Sequence, residues 1–340
     1  MSAFNIADLA VPVIAAPMAG GPSTPELAAA ATNAGGLGFV AAGYLTADDF
    51  AARLRSAQDQ ASGPIGANLF VPQPSAGTAE AIDQYAQALA VEAQRYRVEL
   101  GQPRYSDDSW ANKLDVVLDL RPEVVSFTFD LPGADEIRCL RDAGITTVAT
   151  VTSAAEAALA ESRGVDALVA QGPSAGGHRG TFDPAAQPNT QPLSELLDDV
   201  VARTELPVAA AGGLMTAADV DAVLRQGAVA AQLGTAFLLS DEAGSGPVHR
   251  KALQNPEFTE TAVTRAFSGR YARGLRNRFI KEHESQAPFG YPQIHYLTSP
   301  VRAASVRASD PHATNVWAGT GFKKARAASV ATIMGELSCR

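Results

Sequence analysis

Asp166-Ala167-Leu168-Val169-Ala170-Gln171-Gly172-Pro173-Ser174-Ala175-Gly176-Gly177-His178-Arg179-Gly180 is the stretch on which the fold turns. After Asp166, Ala167 to Ala170 is an apolar run of strand length, and the glycine-rich segment Gln171 to Gly180 that follows reads as an active-site loop. Glycines there let the backbone approach a flat or phosphorylated ligand. His178, the one imidazole in the loop, supplies a group that moves protons near neutral pH.

The same pattern recurs on both sides. Apolar runs lie at Val11 to Ala16, Leu37 to Ala41, Ile65 to Phe70, Val124 to Phe129, Thr147 to Thr150, Ala167 to Ala170, Val208 to Ala211 and Ala228 to Gln232, with helical segments between them. Several of those helices begin with a capping residue, as in Ser23-Thr24-Pro25-Glu26, Thr46-Ala47-Asp48-Asp49 and Thr152-Ser153-Ala154-Ala155-Glu156. Eight βα units in one chain predict a closed (β/α)8 TIM barrel, because an open doubly wound sheet usually stops at five or six strands. Two segments fall outside the repeat: 72–118, rich in Gln, Ala and Glu, and 241–310, dense in Arg and aromatic residues. Both are expected to be insertions forming a smaller cap over a barrel built from 1–71, 119–240 and 311–340. Gly321 to Leu337 is expected to be a closing helix.

Composition narrows the function. The 340 residues carry a net charge of -9, which argues against nucleic acid or an anionic membrane as partner. Cys139 and Cys339 form neither a disulfide framework nor a zinc pattern, and no carboxylate or histidine cluster suggests a metal. The N-terminus lacks the basic start of a signal peptide, so a cytoplasmic protein is expected, as monomer or homodimer. Leu27 to Ala47 is uncharged and long enough to span a bilayer, but Asn33, Gly35, Gly36 and Gly38 divide it into helix, turn and strand.

Ligands of such barrels sit at the carboxyl ends of the strands. Here those ends are glycine-rich and poor in charge, which suits a large aromatic cofactor. Phosphate is usually held by the loops after the seventh and eighth strands, where Gly212, Gly213, Gly234 and Thr235 fall beside Gln232 and Leu233. Asn68 and Gln171 are amides suited to a ring with alternating carbonyl and N–H edges, or to tying loops together. Met18 is placed to pack on a ring face or to fill core. Gly176 and His178 lie in the loop after the sixth strand, and His178 is the candidate catalytic residue. Ser126 and Ser174 have no partner histidine and acid at hydrolase spacing. Tyr291 and Tyr296 are candidates to close over a substrate.

Ala16-Pro17-Met18-Ala19-Gly20-Gly21, Ala67-Asn68-Leu69-Phe70, Val125-Ser126-Phe127-Thr128-Phe129, the Gln171 to Gly180 loop, Ala210-Ala211-Gly212-Gly213 and Gln232-Leu233-Gly234-Thr235-Ala236-Phe237 together resemble the nitronate monooxygenases, bacterial class I. The resemblance continues through Gly269-Arg270-Tyr271-Ala272-Arg273-Gly274, Tyr291-Pro292 and Trp317-Ala318-Gly319. It implies an FMN-bearing barrel that oxidises alkyl nitronates, such as propionate 3-nitronate, with O2 to a carbonyl compound and nitrite. It also implies His178 as the catalytic histidine, with Asn68, Gln171, Gly176, Gly213 and Gln232 to Thr235 around FMN. Ser174 stands where the family commonly shows Glu, Asp130 where it shows Gly, and Thr320 where it often shows Gln. Two other functions fit the same residues: an FMN-dependent NAD(P)H:quinone or enoyl-thioester reductase, and a flavin-binding protein without turnover whose insertions serve assembly.

Overall fold

The computed structural model describes residues 4–338; Cys339 lies outside the described residues. Eleven strands follow in chain order: β1 (Val13–Ala15), β2 (Leu37–Ala41), β3 (Ile65–Phe70), β4 (Val124–Thr128), β5 (Thr146–Val151), β6 (Ala167–Gln171), β7 (Gly177–His178), β8 (Val208–Ala211), β9 (Ala230–Leu233), β10 (Thr261–Thr264) and β11 (Ala272–Leu275). Strands β1 to β6, β8 and β9 close into a parallel barrel, β1 pairing with both β2 and β9. The chain is therefore a (β/α)8 TIM barrel. All eight apolar runs of the sequence become its staves, with ends shifted by at most about two residues.

The staves are continuous apolar runs because each is covered on both faces. Ile14, Phe39, Val148 and Val169 pack in the lumen, where Ile6 joins them from the N-terminal segment. Their neighbours Val13, Val40, Ala149 and Ala170 face the surrounding helices. The segment around Ile6 thus fills the amino end of the barrel and leaves the carboxyl end for a ligand.

The helices start where their caps place them. The side chains of Thr24, Thr46 and Ser153 each accept a backbone N–H from the first turn of the helix that follows. Helix Pro25–Asn33 gives way through a turn to β2, so the long uncharged stretch is divided as its glycines predict. Among the described residues no helix is long and apolar enough to cross a membrane.

Helices Ala79–Ala88 and Ala90–Tyr96 contribute Ile82, Tyr85 and Leu89 to a cluster with Phe267, Phe279, Ile294 and Leu297, separate from the clusters of the barrel staves. Helix Trp110–Leu120 behaves differently from the rest of segment 72–118: Leu114 and Val117 pack with Phe50 and Leu54 on the barrel wall. Two expectations are corrected. The closing helix spans only Val330–Leu337, because Ser329 caps it and the chain from Ala325 to Ser329 is not helical. The glycine loop is not wholly a loop, since Gly177 and His178 form β7 and pair with Arg273 and Ala272 of β11.

Candidate active site

A cavity of about 400 Å³ opens at the carboxyl ends of the staves, beneath the segments that carry β10 and β11. It brings together every residue singled out in the sequence as catalytic or cofactor-binding: His178, Met18, Asn68, Gln171, Gly176, Gly212, Gly213, Gln232, Leu233, Gly234 and Thr235. None of its lining residues is Asp or Glu.

His178 is held in place by its short strand. Arg179 N–H donates to the Tyr271 carbonyl at 2.8 Å, and Gln171 grips the hairpin from below. Its amide donates to the His178 carbonyl at 3.1 Å and accepts from Gly180 N–H at 2.9 Å. Gln171 therefore ties the loop, and keeps one N–H beyond that task. The imidazole Nε2 of His178 lies 2.9 Å from Ser268 Oγ, which also reaches the Arg270 carbonyl at 3.2 Å. Burial, then the charges of Arg270 and Arg302, lower His178 to about 3, so the ring is neutral at pH 7.

Three observations bear on a flavin. The N–H groups of Gly213, Gly234 and Thr235 donate to no acceptor among the described residues, and they cluster at the ends of β8 and β9. Free donors in that position fit a phosphate. Gly213 reaches this conformation with φ +81°, and a Cβ there would lie 2.8 Å from Ser174 Cβ. Asn68 donates from Nδ2 to Ser126 and Thr128, leaving Oδ1 without a partner among the described residues. Met18 supplies an apolar wall beside Gly234. These groups fit an FMN.

Several cavity residues were not anticipated. Arg302, on helix Gln293–Arg307, donates to Thr298 Oγ1 at 3.1 Å, Asn315 Oδ1 at 3.0 Å and the His295 carbonyl at 2.8 Å, with no carboxylate in its set. His295 stacks on Tyr44 with centroids 4.3 Å apart. Tyr291 lies behind Tyr44, donating to its hydroxyl at 3.2 Å, and its ring meets His178 edge-on at 5.6 Å. Burial pushes the Tyr44 phenol up to about 12, so it stays protonated. Tyr296 stands outside the main cavity under Arg104. Arg302, His295 and Asn315 carried no local signal, since they meet only when the region after β9 folds over the barrel.

A model of the nitronate monooxygenase family matches residues 4–339. A probable nitronate monooxygenase of Staphylococcus aureus (strain MRSA252) is 35% identical over 337 residues, covering 96% of this chain and 93% of that protein. Its counterpart in Bacillus subtilis (strain 168) is 34% identical over 318 residues, covering 93% and 91%. The crystal structure of nitroalkane oxidase from Streptomyces ansochromogenes superposes with a TM-score of 0.94 at 44% identity, over 97% of this chain and 95% of that one. FabK from Thermotoga maritima, with a TM-score of 0.72 at 24% identity over 98% and 93%, shares the fold. With a matching family model across the described chain and relatives of this identity, the chain belongs to the nitronate monooxygenase family.

Proposed function

We propose that this oxidoreductase binds FMN and uses O2 to oxidise alkyl nitronates to the carbonyl compound and nitrite. The observation that carries this reading is the charge character of the cavity: no carboxylate lines it, a guanidinium does, and its three histidines are neutral. Such a site favours an anion that is already a delocalised carbanion and needs no strong base. FMN, when bound, supplies the electron-accepting chemistry that lets the nitronate react with O2. The phosphate would rest on the N–H groups of Gly213, Gly234 and Thr235, with Met18 against the ring and Asn68 Oδ1 and the spare Gln171 N–H at its polar edge.

His178 orients the substrate. The single Ser268 hydroxyl proton sets the tautomer: given to the Arg270 carbonyl, it leaves Oγ to accept from Nε2–H and Nδ1 free to accept, and turned to Nε2 it leaves the ring proton on Nδ1, so that Nδ1 is in either case the nitrogen that meets the substrate. That nitrogen donates to a nitronate oxygen, or takes the α-proton of a neutral nitroalkane. The protonated Tyr44 phenol adds a further donor in the same cavity.

The test is nitrite release when the purified yellow protein meets propionate 3-nitronate in air without nicotinamide. Flavin bleaching by NAD(P)H alone, with no nitrite, would overturn the proposal in favour of the reductase reading. Chromatography of the flavin released on denaturation identifies FMN.

A further inference from the structure

We infer that Arg302, Asn315 and His295 form a second anion subsite in the cavity, which takes a terminal carboxylate of the nitronate substrate. The inference rests on the nitronate reading of the same cavity. Arg302 lines it without any acidic partner, although the chain as a whole carries more acidic than basic residues. Its four partners, Thr298 Oγ1, Asn315 Oδ1 and the carbonyl and Nδ1 of His295, are neutral acceptors that aim the guanidinium and leave its charge uncompensated. Burial lowers Arg302 to about 10, which still leaves it charged at neutral pH.

The same bonds turn the neighbours into donors. Asn315 spends its carbonyl oxygen on Arg302, and its Nδ2 donates to nothing among the described residues. His295 Nδ1 lies 3.3 Å from Arg302 Nη2, so that nitrogen accepts and the proton sits on Nε2. The Tyr44 ring fixes the plane of that imidazole. One remaining Nη1 N–H of Arg302, the Asn315 amide N–H pair and the His295 Nε2 N–H therefore border the cavity without an acceptor among the described residues. A planar guanidinium beside an amide matches a planar carboxylate. The charge of Arg302 also acts on His178, which places the two ends of the substrate within electrostatic reach of one another.

Steady-state kinetics with two nitronates of equal chain length test the assignment: propionate 3-nitronate and propyl 1-nitronate, whose tail is neutral. The ratio of their kcat/KM values should fall on the order of 30-fold in Arg302→Met, the cost of one charge-assisted partner, and chiefly through KM. Asn315→Asp, which keeps an oxygen for Arg302 and places a carboxylate where the donor was, should lower the ratio at least as far. A ratio unchanged in both variants would overturn the inference, as would an equal loss on both substrates. Calorimetry with butanoate, which has the tail and no nitronate, separates this inference from the reading beneath it. Binding by the unsubstituted protein and not by Asn315→Asp supports the subsite even where neither nitronate yields nitrite, a result that would defeat only the proposed reaction. Equal butanoate binding by both proteins, or none by either, would overturn the subsite.

Discussion

At the scale of single residues, His178 combines two constraints: a backbone fixed by β-pairing and a ring fixed by Ser268. His178→Asn keeps a polar side chain of similar reach but loses the ring nitrogen proposed to meet the substrate. It should retain flavin and lose on the order of 10²–10⁴ of kcat, read by nitrite release and the absorbance of the purified variant. Gly176 is fixed by close packing, since a Cβ there would lie 2.5 Å from Ala318 C and Gly319 N. Gly176→Ala must push the loop away from Gly319, and we expect lower flavin occupancy together with a fall in Tm. The two departures from the family pattern at Ser174 and Thr320 meet in space. Thr320 N–H donates to the Ser174 carbonyl at 3.1 Å, and both side chains stand over Gly213. Two short side chains there leave space where longer ones would crowd the end of β8.

At the scale of elements, the barrel was legible and the region over its mouth was not. Each stave is a local apolar run bounded by glycine or a cap, so its burial on two faces is written in its own residues. The pair Gly177–His178 is a strand only because β11, some ninety residues later, comes alongside it, and two residues carry no periodicity of their own. Arg302 likewise sits on a helix whose inward face is chosen by the packing of Ile294, Leu297 and Val301 with the helices of segment 72–118. The candidate residues at strand ends could be placed together because the barrel itself assigns them a position; those on helix Gln293–Arg307 depend on contacts between distant segments. One such contact is the ion cluster at Glu92, which is fully buried and takes Arg278 Nη1 at 2.5 Å, Arg278 Nη2 at 2.8 Å and Arg95 at 2.9 Å. Burial alone would raise Glu92, but the hydrogen bonds from Arg278 and His283 and the neighbouring charges outweigh it and hold the carboxyl at about 2. Glu92→Gln leaves the partly exposed Arg278 with Glu282 as its remaining carboxylate and should cost about 1–2 kcal/mol in urea denaturation, less than a fully buried pair would. Its effect should be confined to stability, with the ratio of rates on the two nitronates unaltered.

At the scale of the whole molecule, the cavity couples stability to pH. His178, His249 and His295 all line it, and burial, the largest cause for each, lowers them to about 3, about 4 and about 2 from an ordinary 6.5. The folded state thus holds these rings neutral where the unfolded chain protonates them. Between pH 6.5 and about 4 the unfolded state binds more protons, so stability is full above pH 6.5 and falls as the pH drops. Glu92 acts in the same direction at lower pH: its stabilisation is full above its unfolded value of 4.5 and is lost as pH falls through about 2. The overall charge predicts the opposite trend, because a chain of net charge -9 at pH 7 loses self-repulsion as it is acidified. We expect the histidines to prevail, since their protonation is opposed inside one small cavity whereas the acidic groups are spread over a solvated surface. Tm should therefore decline steadily from pH 7 to pH 5, with proton uptake on unfolding approaching three per chain at the acid end, measured by calorimetry in buffers of different ionisation enthalpy. His249→Phe, which removes a titrating ring that donates to the Trp317 carbonyl rather than to the proposed substrate, should reduce that uptake by about one proton. A Tm that rises on acidification over this range would mean that surface charge, and not the cavity, governs the acid response.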